Sequence, residues 1–581
     1  MKTRMMFVVL FLFLILSITS ADAQPSSSPA LRFVVWGDSQ FHNPEIFEEF
    51  VRRTELLKPD FVLQVGDMIN GYTYDPEVAR REWARFRRQI EPLTAPYHPV
   101  AGNHDVTTPE IAPVFGETWG LDRYYYSFDH GPVHVIVLVT YLGDYHDAFS
   151  PEQIEWLKAD LEEHASAPHI FVSFHSPLYM NKDFDWEPMH ELFKRYPVRA
   201  VFTGHSHVYD HRVRDGIRYF CLNTSGNTLY HNHLLGVSNH ILQVIVRGTD
   251  IDYAILTMDN IYPPEVVPEG QAGKSSRYLL DEQTVLIPDP ARGAIDLEVS
   301  IPVHNRAAET RDFRLEWETA DFDWHFEPRG RVLSLAPDEK AVAAFRVQGP
   351  AGHVPRHMLP SLRVTTPYES AGGWKTTLSW QHRMFSPPET RAARCSEAIV
   401  LDGVADEAAW NRAPGIKALY LDDRGTTAPE SNSVRVLYDS DNLYVAWRGG
   451  EPNPEGMSAK AYGDLPLVFG DDDIEMYLDP GRSLNVFYRL MTNSKETVLC
   501  SGPDGLFSFK FSVKTHVGED FWSAEFKIPF AQIKTAPPSP GDVWGFNVRR
   551  NRQQAEPPER DWSKMRHFPY QPPYFGVLRF E

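Results

Sequence analysis

Short apolar runs alternate with amphipathic segments over about residues 31–260. Runs such as "LRFVVWGD" (31–38) and "DFVLQVGD" (60–67) are typical of buried strands, and residues 45–57 carry apolar positions at helical spacing. A further helix is predicted to begin at Ser150, because Ser150, Pro151 and Gln153 form a capping box. This alternation predicts an α/β domain whose functional residues lie in the loops after the strands.

The pattern changes after residue 260. A Pro/Gly-rich segment, "IYPPEVVPEGQAG" (261–273), is followed by short alternating strands without helical spacing, which predict an Ig-like β-sandwich over 275–388. A second break, "FSPPETRAAR" (385–394), precedes another β-rich region over 391–581, with a hairpin predicted around Asp439 to Asn442. The chain is therefore expected to be multidomain, with one α/β domain followed by two all-β sandwich domains.

The N-terminal segment has the pattern of a signal peptide over 1–23. Lys2 and Arg4 precede an apolar run, and small residues follow at Ala21 and Ala23. An uncleaved anchor is the alternative, but the run is shorter than the roughly 20 residues that span a bilayer. We expect a secreted or periplasmic protein with no membrane span after cleavage.

Charge and cysteine content narrow the classes of partner. The 581 residues include 78 acidic and 57 basic side chains, for a net charge of -21, which disfavours a nucleic-acid polymer as partner. A small anionic substrate is still compatible with this charge, because a bound metal ion makes the local electrostatic potential positive. Three cysteines are too few for a disulfide scaffold: Cys221 is predicted to be a buried thiol, and pairing of Cys395 with Cys500 is left open.

Metal-competent residues follow most strands of the first domain. They occur in "GDSQ" (37–40), "GDMIN" (66–70), "GNHD" (102–105), "FHSPL" (174–178) and "GHSH" (204–207). In extended backbone, residues two apart face the same side, so Asp38 would align with Gln40 and His205 with His207. Carboxylates and imidazoles suit two divalent cations, namely Mn, Fe or Zn, with Mg as an alternative. Two such ions can share a carboxylate and bind a bridging hydroxide that attacks phosphorus.

This ordered set of motifs resembles the calcineurin-like metallophosphoesterases over about 31–256, which implies a metallophosphoesterase domain over 31–260 with an αββα sandwich fold. The resemblance implies one metal held by Asp38, Gln40, Asp67 and His207 and a second held by Asp67, Asn103, His175 and His205. Asp67 would bridge the two ions. His104 would donate a hydrogen bond to a phosphoryl oxygen or a proton to the departing oxygen, and Asp105 would orient the His104 ring.

Gln40 departs from the family pattern, which has an imidazole at this position. Its amide oxygen can bind a hard cation but more weakly, so we expect a looser first site that favours Mn or Mg over Zn. His42 is the alternative ligand. His231 and His233 are candidates for the substrate mouth, whereas His134 is predicted to be a surface or packing residue.

The C-terminal region contains spaced motifs such as "FGDDDIEMYLDPG" (469–481) and "GDVWGFNVRRNR" (541–552), which resemble family 9 carbohydrate-binding modules. The resemblance implies a β-sandwich with a carbohydrate ligand. The aromatic candidates for sugar contact, with core packing as the alternative for each, are Trp447, Trp522, Trp544 and Trp562. The acidic triplet of Asp471, Asp472 and Asp473 predicts either a calcium site or a solvated turn.

Two functions follow from these patterns. The first is a secreted, metal-dependent phosphoric ester hydrolase that cleaves phosphomono- or diesters of small molecules or phosphorylated glycans, with a place in carbohydrate catabolism. The alternative is a non-catalytic carbohydrate-binding or adhesion protein with a degenerate phosphoesterase domain. The intact "GNHD" and "GHSH" motifs favour the enzyme, and Gln40 favours the alternative.

Overall fold

The computed structural model describes residues 30–41, 44–143, 145–226, 236–267, 285–319, 323–352, 354, 358–369, 373, 375–422, 425–460, 468–484, 486–555, 557–563 and 572–581. The predicted signal peptide, His42, His231 and His233 lie outside these residues. No helix within the described part of the chain is both long and apolar enough to cross a membrane.

Within the described residues, the first domain contains fourteen strands and five α-helices. The strands are β1 (Leu31–Trp36), β2 (Phe61–Gln64), β3 (Tyr97–Pro99), β4 (Tyr126–His130), β5 (Val133–Val137), β6 (Tyr141–Leu142), β7 (Tyr145–His146), β8 (His169–Ser173), β9 (Val198–Thr203), β10 (Asp210–Arg214), β11 (Ile217–Cys221), β12 (Ile241–Arg247), β13 (Asp250–Leu256) and β14 (Ile261–Tyr262). The helices are α1 (Pro44–Leu57), α2 (Pro76–Ile90), α3 (Ala112–Trp119), α4 (Pro151–Glu163) and α5 (Glu187–Phe193). One sheet has the order β14-β13-β12-β1-β2-β3, and the other has the order β10-β11-β9-β8-β5-β4.

The two sheets pack face to face through a core of large apolar side chains. Phe33 on β1 stacks on Phe61 at 4.6 Å between ring centroids and meets the edge of Phe171 on β8 at 5.2 Å. Buried residues of α1 to α3 pack with the outer side chains of the first sheet, and those of α4 and α5 with the outer side chains of the second. The predicted αββα sandwich is therefore confirmed.

The capping box predicted at Ser150 is only half formed. Ser150 Oγ accepts the backbone N–H of Gln153 at 3.2 Å and caps α4. The Gln153 side chain does not reach back to the cap, because it pairs with both backbone groups of Val139, at 2.7 and 2.9 Å. Gln153 thus joins α4 to the chain that leaves β5 instead of closing the box.

The middle region forms two further sheets. Its strands are β15 (Val285–Leu286), β16 (Ile295–His304), β17 (Arg311–Glu318), β18 (His325–Glu327), β19 (Gly330–Leu335), β20 (Lys340–Gly349), β21 (Ser361–Glu369) and β22 (Lys375–Phe385). The sheet orders are β15-β22-β21-β17-β19 and β16-β20-β18, and one apolar cluster contains side chains from both sheets. The region is all-β, as the alternating pattern predicts.

The C-terminal region is one large curled sheet. Its strands are β23 (Glu389–Arg394), β24 (Asn432–Tyr438), β25 (Asn442–Gly450), β26 (Asp473–Asp479), β27 (Tyr488–Asn493), β28 (Val498–Gly502), β29 (Gly505–Leu506), β30 (Ser512–Val517), β31 (Phe521–Pro529), β32 (Val543–Asn551), β33 (Glu559–Asp561) and β34 (Gly576–Phe580). Their order is β29-β28-β27-β26-β32-β34-β23-β24-β25-β31-β30, and β33 pairs with β32. The hairpin predicted around Asp439 to Asn442 joins β24 to β25.

The tryptophans of this region belong to its core. The four aromatic candidates for sugar contact are at most 5% exposed, so the core-packing alternative describes Trp447, Trp522, Trp544 and Trp562. The solvated acidic turn is wrong, because Asp471, Asp472 and Asp473 are buried and accept hydrogen bonds from backbone N–H groups or side-chain amides. All three cysteines are buried and free, so Cys395 and Cys500 are not paired.

Candidate active site

The loops after β2, β3, β8 and β9 bring one group of metal-competent atoms together. Asp67 Oδ2 lies 3.2 Å from His175 Nε2, which in turn lies 3.2 Å from His205 Nδ1. The amide oxygen of Asn103 is 3.0 Å from His175 Nε2 and 2.8 Å from His205 Nδ1. These atoms are the ligands that the sequence predicts for the second metal.

A second group adjoins the first and shares Asp67 with it. Asp38, Asp67 and His207 place ligand atoms within 4.8 Å of one another, and His207 Nε2 lies 3.0 Å from Asp38 Oδ2. Gln40 is buried beside them, and its backbone N–H donates to the Asp67 carbonyl at 3.2 Å. The structure thus brings the predicted residues together in the predicted grouping, while the ligand role of Gln40 stays a prediction.

The backbone at these residues is not extended. Gln40, Asp67, His205 and His207 have φ values of 35°, 54°, 68° and 51°, in the left-handed region that non-glycine residues rarely adopt. The predicted alignment of residues two apart is therefore wrong, and His205 and His207 belong to different groups. Strained backbone of this kind is common at functional sites, where the surrounding structure has to stabilise it.

Glycines precede several of these residues because there is no room for a side chain. A Cβ at Gly102 would lie 2.3 Å from Asp67 Oδ1, and one at Gly204 would lie 2.3 Å from Asp38 Oδ1. The "GNHD" and "GHSH" motifs thus allow the backbone to approach the two carboxylates closely.

The donor set fits a divalent cation. His175 Nδ1 donates to the carbonyl of Val65 at 2.8 Å, which directs Nε2 toward Asn103 Oδ1 and His205 Nδ1. A cation bound between these atoms would take the place of the protons that they otherwise share. Two carboxylates, three imidazoles and an amide oxygen are ligands that suit Mn, Fe or Zn.

The charges of the site also favour a cation beside Asp67. Burial acts to raise the pKa of Asp67, but the imidazoles of His175 and His104 outweigh it, and the net pKa is lowered. Burial lowers the pKa of His175, but the Asp67 carboxylate outweighs it and raises the pKa to about 10. The pocket therefore stabilises positive charge next to Asp67.

His104 lies at the edge of both groups. Its Nε2 is 3.9 Å from Asp67 Oδ2, and its Nδ1 donates to the carbonyl of Asn70 at 2.5 Å. Burial lowers the pKa of His104, and the charge of Asp67 opposes this effect. The ring is 26% exposed, so a substrate can reach it from solvent.

The prediction that Asp105 orients His104 is wrong. Both Asp105 oxygens accept backbone N–H groups, from Asp67 at 2.8 Å, Gly102 at 2.9 Å and Met68 at 3.0 Å. Burial raises the pKa of Asp105 and the Asp67 charge adds to this, while the backbone donors oppose both effects. Asp105 therefore holds the loop that carries Asp67, and the peptide carbonyl of Asn70 orients the imidazole.

Tyr72 is a site residue that the sequence analysis did not identify. Its hydroxyl accepts from Asn103 Nδ2 at 2.8 Å, which turns the Asn103 oxygen toward the imidazoles, and its ring lies 4.5 Å from the ring of His104. No motif or spacing indicates this role. Tyr72 follows "GDMIN" by two residues, and only the turn of the chain at Gly71 brings it back to the site.

Comparisons with known families agree with this geometry. Residues 31–209 match the family model for calcineurin-like phosphoesterases, and residues 401–579 match the model for carbohydrate family 9 binding domain-like proteins. The chain therefore has a calcineurin-like metallophosphoesterase domain at its N-terminal end and a family 9 carbohydrate-binding-like domain at its C-terminal end.

The curated relatives match about a third of this chain. Purple acid phosphatase 15 of Arabidopsis thaliana is 28% identical over 238 residues, which cover 34% of this chain and 43% of that protein. Acid phosphatase type 7 of Danio rerio is 28% identical over 229 residues, covering 32% of this chain and 50% of that protein. The chain thus spans about half the length of these relatives.

A solved family 9 carbohydrate-binding module from Caldicellulosiruptor kristjanssonii in complex with glucose is 17% identical with a TM-score of 0.26, and covers 33% of this chain and 95% of that chain.

Proposed function

We propose that the protein is a metal-dependent phosphoric ester hydrolase. The observation that carries the proposal is the pair of ligand groups that share Asp67, with the acceptor atoms of Asn103, His175 and His205 within 3.2 Å of their neighbours. The alternative of an inert phosphoesterase domain in a carbohydrate-binding protein is less well supported, because the predicted ligand residues lie together and the four tryptophans named as candidates for sugar contact are buried.

Each residue has a role in the proposed reaction. Asp38 and His207 would hold one cation, Asn103, His175 and His205 the other, and Asp67 both. When bound, two such cations activate water and neutralise phosphoryl charge. His104, with Nδ1 donating to Asn70, would donate from Nε2 to a phosphoryl oxygen or to the departing oxygen when its ring is protonated, because only the imidazolium carries a proton on both nitrogens.

The substrate proposal has two parts. Two relatives are named acid phosphatases, which makes a phosphomonoester at acidic pH the first substrate to test. The C-terminal family match supports a phosphorylated carbohydrate as the natural substrate class. We also propose that the protein is exported, as its N-terminal sequence pattern predicts. A secreted enzyme would have access to phosphorylated glycans outside the cytoplasm.

The test combines metal content with turnover. We expect the purified protein to hold about two divalent metals per chain and to hydrolyse aryl phosphomonoesters or diesters with Mn, Zn or Mg added. His205→Ala should lose at least one metal and most activity, whereas His325→Ala, at an exposed position on β18, should retain both. A wild-type protein that binds no metal and cleaves no ester under any cation would contradict the proposal.

Mass spectrometry of the mature N-terminus tests export. Cleavage near Ala23 agrees with secretion, and an intact Met1 on the exported protein contradicts the signal peptide.

A further inference from the structure

One peptide group links His104 to a carboxylate on a neighbouring helix. The carbonyl of Asn70 accepts from His104 Nδ1 at 2.5 Å, and the N–H of the same peptide, which belongs to Gly71, donates to Glu82 Oε2 at 2.9 Å. Glu82 lies on α2, at the opposite end of this peptide from the imidazole. The plane of the peptide is therefore fixed from both sides.

The chain at Gly71 is packed closely against the backbone of His104. Gly71 has a φ of +56°, and a Cβ there would lie 1.7 Å from the carbonyl oxygen of His104. The peptide therefore passes directly under the backbone of His104. If the Gly71 N–H lost its acceptor, the peptide could rotate and the Asn70 carbonyl would leave Nδ1 of the imidazole.

Glu82 is held in this position by its surroundings. It lies beside a cavity of about 290 Å³ between α2 and residues 553–555 and 558 of the C-terminal region. Arg81 and Arg85 on α2 and Glu559 on β33 are the charged groups that act on it, and Arg88 also lines the cavity. Burial raises the pKa of Glu82 to about 7, against the Gly71 N–H and Arg85, which lower it.

We propose that Glu82 is a positioning residue for His104, which acts through the Asn70–Gly71 peptide and stabilises the imidazole orientation needed for proton donation. The inference rests on the proposed phosphoesterase function. Glu82 reaches His104 through the Gly71 N–H and belongs to neither ligand group found among the described residues, so its removal should change the chemical step more than metal binding.

The experiment compares Glu82→Ala, Glu82→Gln, His104→Ala and the double variant E82A/H104A in the full-length protein, with 4-nitrophenyl phosphate as substrate. Glu82→Ala should lower kcat by about tenfold or more with little change in KM, because a general acid contributes roughly 10²- to 10⁴-fold. Glu82→Gln keeps an oxygen acceptor and should recover most of the lost activity. The matched control is Glu77→Ala, an exposed carboxylate on the same helix that pairs with Arg80.

Two readouts distinguish positioning from a general structural role. Adding Glu82→Ala to His104→Ala should cause no further loss of kcat, and metal content should be unchanged in every variant. The ratio of wild-type to Glu82→Gln kcat should rise with pH through about 7, because the ionised carboxylate accepts a charge-assisted bond that the amide cannot.

The results separate this inference from the proposed function. An active wild type with an equally active Glu82→Ala variant would overturn the role of Glu82 and leave the phosphoesterase intact. Multiplicative losses in the double variant, or loss of metal in Glu82→Ala, would also overturn it. A wild type without metal or turnover would overturn both proposals.

Discussion

Gln40 is predicted to contribute a neutral amide to a site otherwise made of carboxylates, imidazoles and the Asn103 amide. It is 2% exposed and adopts a left-handed backbone, a conformation that histidine also tolerates. An imidazole binds Zn more tightly than an amide oxygen does, so position 40 would set the affinity of the group around Asp38 and His207.

Gln40→His should therefore increase zinc retention. After dialysis against a weak chelator, we expect the variant to keep more zinc per chain than the wild type, by about tenfold in apparent affinity, the scale on which single contacts to a metal site act. Elemental analysis measures this directly. His207→Gln, in the same ligand group, should lose zinc under the same conditions. Equal retention by wild type and Gln40→His would show that position 40 binds no metal.

For the individual residues of the site, the sequence indicates which side chains lie together but not how they are oriented. The ligand types and their glycines are local signals, because each follows a strand whose carboxyl end lies at one edge of the sandwich. The left-handed backbone at Asp67, the amide contacts of Asp105 and the return of Tyr72 to Asn103 depend on the folded path of the chain. Motif spacing contains no information about that path.

The β4–β5 hairpin is joined to α4 by a histidine between two carboxylates. His134 on β5 lies 2.8 Å from Asp129 on β4 and 2.9 Å from Asp160 on α4, and its ring stacks on His164 at 3.7 Å. Burial lowers the pKa of His134, but the bonds to Asp160 and Asp129 outweigh it and the net pKa is raised. The pKa of Asp160 is lowered, since His134 and Ser127 outweigh its burial.

His134→Leu should destabilise the domain most under mildly acidic conditions. The raised pKa of His134 provides stability below about 6.5 that is lost as pH rises through the folded value, and the lowered pKa of Asp160 provides stability above about 4. Between these limits we expect a loss of about 2 kcal/mol in the free energy of unfolding, measured by denaturant titration.

The control for this prediction is Asp129→Asn. The Asp129 side chain is 67% exposed, so solvent screens its bond and its loss should cost less. A His134→Leu effect that is independent of pH would show that packing, not the ion pairs, stabilises the junction.

The C-terminal domain contacts the loop that completes the active site. Lys460 Nζ lies 2.9 Å from Asp75, the N-cap of α2, and Gly470 packs directly on Thr73. Thr73 follows Tyr72, whose hydroxyl orients Asn103. The domain that resembles a carbohydrate-binding module therefore stabilises the segment of Tyr72 and Thr73, which positions Asn103. The two contacting regions are about 400 residues apart in the sequence.

Gly470→Ala should accordingly impair the phosphoesterase site. The added Cβ would lie 2.3 Å from Thr73 Cβ, so Thr73 and the adjoining Tyr72 must move, and displacements near 1 Å at a site cost up to about 10²-fold in rate. We expect kcat to fall by about tenfold or more, measured on an aryl phosphomonoester together with metal content. Gly415→Ala is the matched control in the same domain, because its Cβ would meet only ordinary contacts, the nearest at 3.5 Å from Ser433 Oγ. Unchanged turnover in Gly470→Ala would show that the contact between the two domains does not affect catalysis.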